Sequence, residues 1–103
     1  MLVEKTYKVG DTVTLYLQTG QEVLGKLVSE DDSNTVVCQP LTIAIGPKGA
    51  AFQTFTVSGD SAKNVALKTS KIIAVLKTND DTADSYRTAT TGLVVPAQGK
   101  LVV

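Results

Sequence analysis

The chain has 103 residues, 43% of them hydrophobic and 19% charged, enough for one globular domain with a modest core. Ten Lys and Arg balance ten Asp and Glu, which argues against a broadly basic sleeve for nucleic acid. There is no His and a single Cys, Cys38, which excludes an internal disulfide, a Cys–His zinc site and any His-dependent triad.

Fourteen Val and fourteen Thr dominate the composition. Branching at the β-carbon disfavours helix and suits pleated, half-buried strands, so an all-β chain is expected. Residues 12–18 alternate Val13, Leu15 and Leu17 with Thr14, Tyr16 and Gln18, the period of a half-buried antiparallel strand. Thr19-Gly20-Gln21 reads as a short hairpin connection, and EVLGKLVS over 22–29 as the second strand. Gly25 stands inside that strand. An interior Gly marks a bulge, a sharp bend or the close approach of another backbone.

Glu30 to Asn34 form a charged turn, and TVVCQ over 35–39 opens a third strand. Pro40 cannot donate a ladder hydrogen bond, which implies an edge or a bulge there. Leu41, Ile43 and Ile45 carry the alternation onward to a tight connection at Gly46-Pro47-Lys48-Gly49. A fourth strand begins near Ala51 and is interrupted around Ser58-Gly59-Asp60-Ser61. Residues 64–68 either resume it past a bulged insert or form a strand of their own.

Lys71 to Leu76 is apolar on both faces, whereas a sheet edge is normally blunted by polar or charged groups. Something must cover it: the barrel itself or a neighbouring chain. Residues 78–92 are polar and acidic without evident periodicity and read as a flexible linker. Residues 93–103 are apolar again around Pro96 and Gly99, an extension expected to dock on the barrel or on a partner. No amphipathic helix longer than about two turns is apparent.

The block 13–37 resembles the first motif of the Sm/LSm family, which includes bacterial Hfq. An apolar strand is followed by Gly20, Gly25, Leu27 and Asp31 at the family's spacing, then Asn34, Val36 and Val37. Residues 65–76, VALKTSKIIAVL, resemble the second motif, with Lys68 at its basic position, Thr69 at the usual Gly and Ser70 at the usual Asn. Within the family the likeness is nearest to divergent bacteriophage proteins, including those attributed to cyanophage. It implies a small, strongly bent five-stranded barrel over 1–77 that assembles into a homo-oligomeric ring. The ring seam would carry Val65, Leu67, Ile72, Ile73 and Val75. It also implies a binding site for single-stranded RNA at the pore, built from Asp31, Ser33, Asn34, Lys68, Thr69 and Ser70. Two departures stand out. Little precedes the first strand to form the family's N-terminal helix, and Ser33 sits where a stacking side chain is usual.

RNA binding needs π-faces for bases, amides or hydroxyls for base edges and cations for phosphates. Ser33 offers no π-face, which forgoes about 1–3 kcal/mol per base. Lys63, Lys68, Lys71 and Lys77 form a mild basic stripe, while Glu30, Asp31 and Asp32 oppose phosphate. The alternative is a phage structural or adaptor ring that binds other phage or host proteins without RNA. Asp31 and Asn34 serve equally well as turn formers, Lys68 as a solvated strand-end charge and Cys38 as a small buried hydrophobe. The aromatic residues are more readily packing groups than a stacking platform. Asp80, Asp81 and Asp84 lack the glycine and terminal Glu of a calcium loop. No phosphate loop or nucleophile elbow is present, so neither an enzyme nor a cofactor is expected. No apolar run approaches about 20 residues, and MLVEKTYK lacks the features of a secretory signal, so a reducing cytoplasm is the expected setting.

Overall fold

A computed structural model of the chain describes residues 6–56, 58–60 and 63–91. These form six strands and one helix: β1 (Thr12–Leu17), β2 (Glu22–Glu30), β3 (Asn34–Gly46), β4 (Gly49–Thr54), β5 (Asn64–Lys68), β6 (Ile72–Lys77) and α1 (Asp80–Thr90). A single 3-10 turn, Thr69–Lys71, joins β5 to β6. The strands make one antiparallel sheet in the order β4-β3-β2-β1-β6, with β5 also on β3. The all-β expectation therefore holds, and no helix precedes β1 among the described residues. The apolar extension at 93–103 lies outside the described residues.

The alternation in β1 works as the sequence implies. Val13, Leu15 and Leu17 are buried and join Val23, Leu27 and Val37 in one core cluster. Full burial of an aliphatic side chain stabilises by about 1.5–3 kcal/mol, so this layer is the chief source of stability. The β1–β2 turn closes through the Gly20 amide, which donates to Leu17 O at 2.9 Å. Gly20 has φ of 89°, a conformation that a side chain would disfavour.

β3 is the long strand that the sheet bends around. Its first half pairs with β5, from Asn34↔Lys68 to Cys38↔Asn64. Its second half pairs with β4, from Leu41↔Thr54 to Gly46↔Gly49. The fourth strand is thus two strands sharing one partner. Against β2, Lys26 faces Cys38 and Leu24 faces Leu41, so Gln39 and Pro40 together oppose Gly25. That two-against-one arrangement is a bulge, and it accommodates a proline inside a central strand. Gln39 takes φ of 50°, uncommon for a residue with a side chain.

The expected linker is a correction. Asp80–Thr90 is an α-helix of 11 residues, longer than the two turns the sequence appeared to allow. Asn79 caps it, its Oδ1 accepting from the Thr82 amide at 2.9 Å. Asp80 and Asp81 stand in the first turn, where carboxylates favour the helix dipole. Ala83 and Tyr86, one turn apart, are buried against the sheet. Arg87 pairs with Asp84 on the outer face. The helix docks on β3 through the Tyr86 hydroxyl, which donates to Cys38 O and Gln39 O, both at 2.8 Å.

Candidate nucleic-acid interface

Two loops meet where β3 begins and β5 ends, because Asn34 and Lys68 are register partners. The first loop is held by Asp31. Its Oδ1 accepts from the amides of Ser33 at 2.8 Å and Asn34 at 2.7 Å, and its own amide donates to Asn34 O at 2.9 Å. Those two amides keep the Asp31 carboxyl below its ordinary value. The second loop is fastened to the first by Thr69. Its amide donates to Ser33 O at 3.1 Å and its hydroxyl donates to Asp31 O at 2.8 Å. The Thr69 hydroxyl also lies 2.9 Å from that of Thr35. A Gly at position 69 would lack this hydroxyl.

The six residues expected at an RNA site are therefore brought together, but in two kinds. Asp31 and Thr69 build the loop pair, and Ser33 contributes its carbonyl to it. Lys68, Ser70 and the side chain of Ser33 are exposed, and Asn34 is half-buried beside them. Gln18, which sequence reasoning passed over, sits at the same place. Its amide nitrogen Nε2 donates to Ser70 O at 3.4 Å and its backbone N–H to Lys71 O at 3.0 Å. Its position directly after the last buried residue of β1 was the available signal. Glu30 is engaged elsewhere, accepting from the Tyr7 hydroxyl at 2.8 Å, which leaves Asp32 as the exposed carboxylate of the turn that no described group holds.

The sheet has three end strands, β4, β5 and β6, and the last two are consecutive in the chain, joined by the turn at 69–71. β6 pairs with β1 on one side, and β5 pairs with β3 on one side. Among the described residues neither has a partner on its other side. Of the residues expected at a seam, Leu67, Ile72 and Val75 pack half-buried against the chain's own core. Val65 is also half-buried. Ile73 is 61% exposed, and so is Leu76 at 52%, a residue the sequence reading left out of the seam.

Among the described residues no group of His, Cys, Asp and Glu is placed to hold a metal ion, and no helix is long and apolar enough to cross a membrane. No protein-family model matches the chain, and no curated protein matches it. Among solved structures it is similar to a heptameric archaeal Sm protein at 14% identity, over 69% of this chain and 90% of that one, with a TM-score of 0.49.

Proposed function

We propose that the protein is an Sm-like binding ring: copies join through the free edges of β5 and β6, and the loops 31–34 and 68–71 face single-stranded RNA. The observation that carries the reading is that β5 and β6, consecutive in the chain, are both end strands with an open side, and that β6 leaves Ile73 and Leu76 in solvent. An apolar edge strand left open templates pairing with another chain, and a heterologous contact that closes by rotation makes a ring. Ring closure multiplies a weak site by the number of copies. In that site Lys68 and Lys71 supply charge to phosphates. Asn34, Ser70 and Gln18 supply hydrogen bonds to base edges. The resemblance brings with it a phage origin, a cytoplasmic setting and a binding rather than catalytic role.

Two observations favour a second reading, a ring that binds protein instead. Ser33 and its neighbours provide no aromatic face, and Asp32 stands exposed on the same loop. Titration of the assembled protein with uridine-rich and adenine-rich oligonucleotides across a salt series separates the two. RNA binding predicts that the logarithm of affinity falls linearly with the logarithm of salt, by about 0.7 per phosphate engaged. Lys68→Ala then lowers both affinity and slope. Absence of salt-sensitive binding at micromolar protein ends the RNA reading and leaves the protein-binding one.

A further inference from the structure

A groove of about 200 Å³ runs between the β3–β4 hairpin and the first turns of α1, with Ile43, Ala50 and Phe52 on one wall and Asp81, Thr82 and Ser85 on the other. That volume is below the ~300–1,000 Å³ of small-molecule sites, so the groove suits a few side chains and not a cofactor. The hairpin wall is apolar because residues directly opposite across a ladder share a face. Ile43 is opposite Phe52, and Ile45 is opposite Ala50. Leu41 lies on that face two residues earlier, opposite Leu24. Burial falls along this stripe: Leu24 is 1% exposed, Ile43 and Phe52 are half-buried, and Ile45 is 79% exposed. β4 itself, GAAFQT, carries no charge and no proline, and its outer side has no partner among the described residues. Open edges are normally blunted by such groups, so this arm is built to be covered.

The chain supplies an occupant of its own. Twelve residues, 92–103, follow Thr91, the last described residue, and they hold two Leu-Val-Val triplets, at 93–95 and 101–103. α1 forms one wall of the groove and ends beside Thr91, which is about 9 Å along a helix axis from Ser85. Twelve extended residues reach up to about 40 Å, so the tether spans that distance with room to turn. The charges agree as well. Asp81 is the charged residue of the groove lining, and Lys100 is the charged side chain of the segment. A tethered segment meets the groove at an effective concentration on the order of millimolar, above that of a second copy at micromolar protein.

We infer that segment 93–103 docks its Leu and Val side chains in this groove of the same chain, covering Ile43, Ala50 and Phe52. The contact lies within one chain, so it does not depend on ring assembly or on RNA at the loops. The test uses the full chain, isotope-labelled at Leu and Val methyl groups and Phe rings. Nuclear Overhauser contacts are measured for the labelled protein alone and after it is refolded with an excess of unlabelled chain. The expected result is contact between the Phe52 ring and methyl groups of 93–95 or 101–103 that persists on dilution. The inference is overturned if no such contact exists, as when a different protein is the occupant. It is equally overturned if the contact vanishes on dilution, which assigns the groove to a second copy. The double substitution V94D/V102D, outside the described residues, speeds amide exchange at Ala50 and Phe52 at least about tenfold and leaves buried Leu15 unchanged. Ala50→Asp, at an exposed position, abolishes the methyl contacts from the groove side. Exchange at the parent rate in V94D/V102D, or methyl contacts retained in Ala50→Asp, overturns the inference as well.

Discussion

Gly25→Ala probes the tightest crossing in the sheet. A Cβ at this position would stand 2.8 Å from Val37 Cβ, 3.0 Å from Val37 Cγ2 and 3.4 Å from Cys38 O. Carbon atoms pack at about 3.5–4.0 Å, so two of these contacts are repulsive. Val37 is fully buried in the core cluster and cannot swing aside. Relief therefore requires β2 to move off β3, against the bulge at Gln39 and Pro40. Overpacking of this kind costs about 1–3 kcal/mol. The alanine recovers about 0.5–1 kcal/mol by restricting the unfolded backbone. The net expectation is a loss of about 1–2 kcal/mol. For a chain of this size that lowers the melting temperature by about 5–10 °C. Thermal and urea unfolding read it out, at one fixed protein concentration because assembly makes stability concentration-dependent. Adding Val37→Ala removes the Cγ2 contact but keeps the Cβ contact, so the pair couples by less than about 1 kcal/mol. A Gly25→Ala chain as stable as the parent refutes the close approach.

Tyr86→Phe removes the donor that ties α1 to the bulge and costs about 1–2 kcal/mol in urea unfolding, with the far-ultraviolet helix signal lost before the sheet signal. Burial pushes the Tyr86 hydroxyl up to about 12, and burial together with the Glu30 carboxylate does the same to Tyr7. Both groups are raised above the ordinary 10.0, so their contribution to stability is complete below pH 10 and is lost as the pH rises toward 12. Substituting both with Phe flattens an alkaline unfolding curve over that interval. Asp31→Ala releases the amides of Ser33 and Asn34 and speeds their hydrogen exchange, whereas Asp31→Asn keeps an acceptor and moves it less. The Asp31 carboxyl is lowered from 3.8, so its contribution is present above that value and disappears as the pH falls below it.

Strand positions were legible where β1 and the second half of β3 alternate apolar and polar residues and end at turns that carry glycine. Gly25 and Pro40 announced a bulge separately. That they face each other across it is set by the pairing of β2 with β3, since register is a property of paired strands. The helix was not legible by periodicity, because α1 buries just Ala83 and Tyr86 and is otherwise polar, with threonines that do not favour helix. Its signals were local: Asn79 as cap, two acids behind it and an Asp84–Arg87 pair at helical spacing. At the loops, the grouping of Asn34 with Lys68 was foreseeable from motif order. The division of labour was not, since hydrogen bonds decide that Asp31 and Thr69 build while Lys68 and Ser70 stay outward. Thr69 in place of glycine reads in sequence as a lapse from the motif, and in the structure it is the staple between the loops.

The open edges of β5 and β6 are the centre of the account, and solution mass by light scattering tests them directly. The chain is 10.8 kDa, and the account predicts a particle of several copies that Ile73→Asp reduces to one. A mass of one chain for the unmodified protein at tens of micromolar contradicts it.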